Sequence, residues 1–178
     1  MHDAEGIVQK LLGAQICDFE NVGIETIIVR LLTERKQTLA IAESCTGGCI
    51  AHRLTNVPGA SAVFLGGVVA YSNAVKRKFL GIRAGTLAAH GAVSEAVARE
   101  MAEGARKRFG ADFGIGVTGI AGPGGGTKGK PVGTVFIALA GAFETIVERK
   151  MNPFKRERFK EVTARQASGM LHLKLIGT

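Results

Sequence analysis

Two glycine-rich segments, each directly after a short apolar run, constrain most strongly what this 178-residue chain can fold into. The run at residues 38–43 leads into the sequence ESCTGG, and the run at residues 112–117 leads into the loop 118–126. Short apolar runs are typical of buried strands, and glycine supplies the turns that leave them. In open α/β sheets the loops at the carboxyl ends of strands build ligand sites. The sequence therefore predicts a sheet with a ligand site at one edge.

The rest of the chain alternates predicted helices and strands. Apolar residues at helical spacing predict helices over residues 23–35, 74–80, 94–109 and 157–173, and the residues after Ser44 turn into another helix that ends near Leu54. β-rich runs predict strands over residues 64–71, 133–139 and 143–150, the last two as a hairpin. The predicted fold class is α/β, a single domain whose mixed β-sheet is sandwiched by helices.

Composition places the chain among globular domains with one core. Hydrophobic residues make up 46% and charged residues 21% of the sequence, and no apolar run approaches the ~18 residues that span a bilayer. The N-terminal residues lack the basic start and long apolar stretch of a secretory signal. The three cysteines (Cys17, Cys45 and Cys49) fit no disulfide framework. We therefore expect a cytoplasmic protein with reduced thiols and no membrane partner.

The excess of positive charge is explained by an anionic small molecule as well as by nucleic acid, and for most of the basic residues the alternative is a solvated helix face. The net charge is +8, and between residues 148 and 174 eight basic residues stand against three acidic ones. The chain has no Trp and one Tyr, so it lacks the aromatic side chains that stack on bases, and we do not expect nucleic acid as the partner. Aspartate is scarce and the four histidines show no paired spacing, so we expect no metal and no cofactor.

Three motif matches fail on their context. Gly114 to Gly119 fits GxGxxG, but its first two glycines fall inside a predicted strand instead of a strand-to-helix turn. The loop 122–130 resembles a phosphate loop, but Pro131 follows Lys130 where Ser or Thr is required. The cysteines at 45 and 49 are interpreted as small apolar residues and not as redox partners. A dinucleotide fold and a Walker loop are therefore excluded.

For nucleophilic catalysis the sequence offers serines and lysines but no histidine beside a nucleophile motif. A lysine acts as a base when burial or a neighbouring cation lowers its pKa, and Lys76 lies on the short helix just past the end of the predicted strand 64–71. Ser61 and Tyr71 lie at the two ends of the segment that leads to Lys76, so the three side chains can converge. The alternative at each position, as at both glycine-rich segments, is a purely structural role.

Six segments resemble a known family. They are AESCTGG (42–48), VPGAS (57–61), YSNAVK (71–76), HGAVSE (90–95), TGIAGPGGG (118–126) and KPVGTV (130–135). Together, in register from about Leu39 to Leu139, they resemble the CinA C-terminal domain family, which includes bacterial nicotinamide mononucleotide amidohydrolases (deamidases). The resemblance implies that residues 23–176 form this domain. Residues 1–22 resemble the connector that follows a nucleotide-pyrophosphatase-type domain in full-length CinA proteins.

The resemblance implies an activity and roles for particular residues. The expected reaction belongs to pyridine nucleotide recycling: nicotinamide mononucleotide is hydrolysed to nicotinic acid mononucleotide and ammonia by a Ser/Lys mechanism without a metal, in a homo-oligomer. Ser61 would be the nucleophile, Lys76 its base and Tyr71 an orienting or polarising group, with Ser44 as the rival nucleophile. The residues expected to bind the substrate are Thr46, Gly47, Gly48, Thr118, Gly119, Gly122 and Arg156.

The C-terminal region departs from the family pattern. Members often carry Gly-Asp-Arg before the last helix, whereas this chain has Pro153-Phe-Lys-Arg156, so only Arg156 matches. This departure keeps a second function open, a catalytically silent nucleotide-binding or regulatory domain. A third alternative is nucleic-acid binding through the basic C-terminal helix, which would weaken steeply with salt.

Overall fold

The computed structural model describes residues 23–177, which form five strands and six α-helices. In chain order they are α1 (Ile24–Arg35), β1 (Leu39–Glu43), α2 (Cys49–Thr55), β2 (Phe64–Val69), α3 (Asn73–Leu80), α4 (Ala84–His90), α5 (Glu95–Phe109), β3 (Phe113–Gly119), β4 (Thr134–Ala140), β5 (Thr145–Met151) and α6 (Arg156–Ile176). A 3-10 turn, Ala60–Ala62, precedes β2. The interpretation of residues 1–22 as a connector lies outside the described residues.

The five strands form one mixed sheet in the order β2-β1-β3-β4-β5. β1 is parallel to both of its neighbours, β2 and β3, whereas β4 is antiparallel to β3 and β5. The predicted α/β class and mixed sheet are confirmed, and so is the hairpin of β4 and β5. Because β1, β2 and β3 run the same way, their carboxyl ends lie together at one end of the sheet, which we call the carboxyl edge.

Alternation along β1 explains why helices cover both faces of the sheet. Leu39 and Ile41 pack into a core with residues of α1, α2 and α6, while Ala40 and Ala42 pack on the opposite face against α3 and α5. All five residues of β1 are buried, as expected for a strand whose two faces are both covered. The sheet is thus the middle layer of three.

Small residues on one face of β3 allow α5 to lie close to the sheet. A Cβ atom added to Gly116 would lie 2.4 Å from the backbone nitrogen of Ala102 and 2.5 Å from the carbonyl oxygen of Ala98. Gly114 is equally tight against Ala102, where an added Cβ would lie 2.2 Å from the carbonyl oxygen. The GxGxxG match therefore reflects strand-to-helix packing, and its exclusion as a dinucleotide turn is confirmed.

Two parts of the sequence-based prediction need revision. α4 was not predicted, because its seven residues lie in a segment punctuated by glycines at 81, 85 and 91. α2 begins at Cys49, several residues after Ser44, because the glycine turn occupies residues 44–48. Within residues 23–177, none of the helices combines the length and the hydropathy needed to cross a membrane.

Candidate active site

A buried lysine and a serine meet at the carboxyl edge. Ser44 directly follows β1, and Lys76 lies in the first turns of α3, which Ser72 caps by accepting a hydrogen bond from the backbone N–H of Val75. The Nζ of Lys76 lies 2.9 Å from the Oγ of Ser44 and 2.7 Å from the carbonyl oxygen of Ala70. The two parallel strands therefore deliver a hydroxyl and an amine to one point.

Burial changes the acid–base behaviour of Lys76. The residue is only 2% exposed, and loss of solvent lowers its pKa below the usual lysine value, an effect that the nearby Cys45 opposes weakly. Among residues 23–177, no carboxylate lies within ion-pair distance of its ammonium group. Lys76 therefore loses its proton, and becomes able to accept one, at a lower pH than an exposed lysine does.

The neighbouring cysteine is not a competing nucleophile. Burial is the main cause that raises the pKa of Cys45, to about 12, so its thiol stays protonated at neutral pH. Cys45 and Cys49 are both free thiols, and Cys45 belongs to the core below the sheet edge. This agrees with the interpretation of the two residues as structural.

The start of α2 does not offer its N–H groups to a ligand, contrary to the expectation for the glycine turn. The carboxylate of Glu43, 2% exposed, accepts hydrogen bonds from the backbone N–H groups of Gly48, Ile50 and Ala51 at 2.9–3.1 Å. A carboxylate at this place satisfies the helix dipole that a phosphate would otherwise satisfy. Gly48 is therefore part of the internal cap of α2 in this structure.

The rest of the glycine turn surrounds Ser44 closely. Thr46 is fully buried, and its Oγ1 has no hydrogen-bond partner within the described part of the chain. Gly47 has a φ of +62°, and its backbone N–H donates to the carbonyl oxygen of Ser44. A Cβ atom added to Gly47 would lie 3.8 Å from Cε and Nζ of Lys160 on α6. Lys160 thus borders the turn, although the sequence analysis treated the basic residues of this helix as solvated.

Tyr71, Arg156 and Gly122 form a second group at the same edge. The guanidinium of Arg156 donates to the hydroxyl of Tyr71 at 2.6 Å and to the carbonyl oxygen of Gly122 at 3.0 Å. Tyr71 follows Ala70 in the chain, and the carbonyl of Ala70 accepts the hydrogen bond from Lys76. The structure therefore brings Arg156, the residue that matches the family pattern, into contact with two other predicted site residues, Tyr71 and Gly122.

A buried asparagine, which the sequence analysis did not identify, holds the connector that delivers Arg156. Asn152, 2% exposed, donates to the Oγ1 of Thr163 at 3.0 Å and exchanges two hydrogen bonds with the amide of Gln166. Its own backbone N–H donates to the carbonyl of Gly133 at 2.8 Å. These bonds tie the end of β5 to α6 and fix where the helix starts.

The structure places Ser61 away from this edge. Ser61 is exposed in the 3-10 turn before β2, and the adjoining Val63 carbonyl accepts from the N–H of Leu39 at the opposite end of β1. A six-residue strand separates it from Lys76, which is roughly 20 Å at the usual rise per residue. Within one chain, Ser61 and Lys76 therefore do not converge, which corrects the expectation from the sequence. That Ser61 is the nucleophile stays a prediction, and it requires a second chain.

The end of β3 completes the edge beside Ser44. The N–H of Ser44 donates to the carbonyl of Val117, and the hydroxyl of Thr118 donates to the carbonyl of Ala92 at 2.8 Å. Gly119 packs tightly, since an added Cβ would lie 2.8 Å from the carbonyl oxygen of Thr134. These two residues shape the wall of the site, and a direct contact with a ligand stays a prediction.

Taken together, the edge can hold an anion and move a proton. It combines the buried amine of Lys76, the Ser44 hydroxyl in contact with it, the hydroxyl of Tyr71, and two further cations, Arg156 and Lys160. Within the described ranges, no group of three or more His, Cys, Asp or Glu side chains is arranged to hold a metal ion. The fold and site define a mixed-sheet α/β domain with a buried serine–lysine pair.

Comparison with known proteins identifies the family. The model of the CinA C-terminal domain family matches residues 21–175, and the chain belongs to this family. A CinA-like protein of Synechococcus sp. (strain CC9902) is 61% identical over 118 residues, which are 66% of this chain and 28% of that protein. A putative competence-damage inducible protein of Moorella thermoacetica is 46% identical over 164 residues, 92% of this chain and 40% of that protein.

Solved structures share the fold. A competence-damaged protein (CinA) superfamily protein from Klebsiella pneumoniae 700603 superposes with a TM-score of 0.83 at 38% identity, covering 87% of this chain and 97% of that one. The competence/damage inducible protein CihA from Agrobacterium tumefaciens gives 0.80 at 39% identity, with the same coverage of 87% and 97%. The chain spans less than half the length of the curated relatives that it matches.

Proposed function

We propose that this domain is an amidohydrolase that converts nicotinamide mononucleotide to nicotinic acid mononucleotide and ammonia, with Lys76 as base and Ser44 as nucleophile. The supporting observation is the 2.9 Å contact between the buried Lys76 Nζ and the Ser44 Oγ. A serine hydroxyl is a weak nucleophile until an adjacent base removes its proton, and a desolvated lysine is such a base. Membership of a family that includes such deamidases supports the choice of substrate.

The chemistry proceeds in two halves. Uncharged Lys76 takes the proton of Ser44 while the serine oxygen bonds to the carboxamide carbon, and the carbonyl electron pair moves onto oxygen. When the carbonyl re-forms, the C–N bond breaks and Lys76 passes the proton to the nitrogen, which leaves as ammonia. Water then adds to the serine ester, and its proton returns through Lys76 to the serine oxygen as the C–O bond breaks. One amide and one water give one carboxylic acid and one ammonia.

The surroundings suit a negatively charged substrate. Tyr71 is 62% exposed and holds its hydroxyl against the guanidinium of Arg156, so both groups are available to a bound ligand. In this proposal Tyr71, whose hydroxyl Arg156 holds in place, orients the pyridine ring and its carboxamide beside Ser44. The bond between Lys76 and the Ala70 carbonyl keeps the amine in place through both halves of the reaction.

The test is the release of ammonia from nicotinamide mononucleotide, with nicotinamide as a control that lacks the ribose phosphate. We expect the wild-type protein to release ammonia and Lys76→Met to lose at least about 1,000-fold in kcat, the scale of removing a catalytic base and its nucleophile activation. The matched control is Lys78→Met, which removes an exposed lysine from the same helix and should keep full activity.

Two outcomes would overturn the proposal. If the folded wild-type protein binds the nucleotide, detected as ligand-dependent thermal stabilisation, but releases no ammonia, the domain is the silent nucleotide-binding module. If Lys76→Met and Lys78→Met are equally active, a different group is the base. Affinity for nucleic acid that falls steeply with salt would support the third alternative instead.

A further inference from the structure

Two cations on one face of α6 border the catalytic edge without a carboxylate partner. Arg156 and Lys160 are four residues apart, so their side chains lie on the same side of the helix. Within residues 23–177, neither forms an ion pair, whereas Arg158 pairs with Glu161 at 3.3 Å and Lys174 pairs with Glu144 at 2.5 Å. In the described part of the chain, Arg156 and Lys160 therefore border the site and, unlike Arg158 and Lys174, are not neutralised by an acidic side chain.

Both cations are held next to the residues of the site. Arg156 donates only to neutral oxygens, the Tyr71 hydroxyl and the Gly122 carbonyl. Lys160 is partly buried, and its Cε and Nζ lie 3.8 Å from the position of a Cβ on Gly47. A side chain at residue 47 would therefore lie against this ammonium group and close off the space beside it.

We infer that Lys160, together with Arg156, binds the phosphate monoester of the substrate. This inference rests on the proposed nucleotide substrate and assigns the group that recognises its charged end. A phosphate monoester is dianionic near neutral pH and accepts hydrogen bonds on three oxygens, which suits two cationic donors on one helix face. The N–H groups at the start of α2 are already donated to Glu43, so side chains take over the role that a helix start often plays.

The spacing allows the two ends of one nucleotide to be bound together. Residues 44–47 form a turn in which the N–H of Gly47 donates to the carbonyl of Ser44 at 3.2 Å. Such a turn keeps its first and last Cα atoms within about 7 Å. Lys160 at one end of the turn and Ser44 at the other are therefore separated by a distance that a ribose and pyridine ring can bridge.

The experiment compares Lys160→Gln with Arg158→Gln, which removes the same charge from the same helix at an exposed, paired position. The substrates are nicotinamide mononucleotide and nicotinamide riboside, which differ only in the phosphate. For the mononucleotide we expect Lys160→Gln to lower kcat/KM about 10- to 100-fold, the loss expected for one charge-assisted hydrogen bond, mainly through KM. For the riboside, and for Arg158→Gln with either substrate, we expect little change. Lys160→Arg should recover most of the loss.

Binding separates this inference from the proposed function. Titration calorimetry with nicotinic acid mononucleotide needs no turnover, and we expect its Kd to rise with Lys160→Gln and not with Arg158→Gln. If the wild type is inactive but this difference holds, the phosphate subsite stands and the amidohydrolase proposal fails. If the wild type is active but Lys160→Gln changes neither Kd nor the preference for the mononucleotide, the phosphate subsite is wrong.

Discussion

The ammonium group of Lys76 lies 2.9 Å from the hydroxyl oxygen of Ser44, although 32 residues separate the two along the chain. Parallel pairing of β1 and β2 produces this contact, because Glu43 pairs with Val69 at the last rung and both chains leave the sheet at the same edge. Desolvation then sets the chemistry of the pair. Because Lys76 is buried, its charged form destabilises the fold. The same effect lowers its pKa and makes the uncharged amine available as a base.

The stability of the wild-type protein should increase with pH relative to Lys76→Met. Burial lowers the pKa of Lys76 below 10.5, so between the lowered pKa and 10.5 the unfolded chain binds more protons than the folded one. The free energy of unfolding therefore rises with pH across that window, by about 1.4 kcal/mol in total for each pH unit by which the pKa is lowered. Urea unfolding at several pH values measures the slope. Parallel curves for the wild type and Lys76→Met would contradict it.

The activity should rise with pH along a limb that reports the same lysine. Uncharged Lys76 is the active form, so kcat/KM for nicotinamide mononucleotide increases as the proton is lost, with a midpoint below the 10.5 of an exposed lysine. The measurement is a pH–rate profile of ammonia release, with Lys78→Met as the control that should follow the wild type. A profile that falls through this range would show that a protonated lysine is needed.

Glu43→Gln should destabilise the fold without touching the serine–lysine contact directly. The Glu43 carboxylate accepts three backbone N–H bonds at the start of α2, and an amide replaces one accepting oxygen with a donor. We expect a loss of about 1–3 kcal/mol in the free energy of unfolding, the cost of leaving buried donors unsatisfied. The control is Glu34→Gln, an exposed site on α1. Equal stability of the two variants would mean that the cap contributes little.

Two glycine substitutions should have opposite effects on stability. Gly116→Ala forces a Cβ to 2.4 Å from the backbone of α5, which must move, so we expect a loss of about 3 kcal/mol or more or a failure to fold. Gly169→Ala in α6 meets nothing within 4 Å and should gain about 0.5–1 kcal/mol from the lower entropy of the unfolded chain. Thermal unfolding compares them. A stable, unshifted Gly116→Ala would show that α5 does not pack this closely.

Much of the fold follows from local sequence signals. The apolar spacing before Arg35 predicted α1, and the buried run at residues 38–43 predicted β1. The spacing over residues 94–109 predicted α5, which Ser94 caps by accepting a hydrogen bond from the Val97 N–H. α4 escaped prediction because a seven-residue helix between glycines carries too few turns for a periodic pattern. Its place is set by contacts with α5, including the hydrogen bond that the Thr86 hydroxyl donates to Glu100.

The site was less accessible to sequence reasoning, because its contacts join distant segments. Lys76 was correctly predicted to follow the end of a strand. Its hydroxyl partner within the chain depends on the order of the strands in the sheet. That order places Ser44 beside Lys76 and Ser61 at the other end of β2. Glu43 reads as the last residue of a strand, and nothing local shows that its carboxylate turns to cap α2. In the sequence, Lys160 is one of many cations, and its position beside Gly47 follows from how α6 packs.

The most direct test of the serine–lysine pair is the rate of ammonia release by Ser44→Ala and Ser61→Ala, each checked for unchanged unfolding. The contact between Ser44 and Lys76 predicts that Ser44→Ala loses at least about 1,000-fold in kcat, as removal of a nucleophile does, while Ser61→Ala stays within about 10-fold of the wild type. The opposite pattern, an active Ser44→Ala and an inactive Ser61→Ala, would contradict this assignment and make Ser61 of another chain the nucleophile.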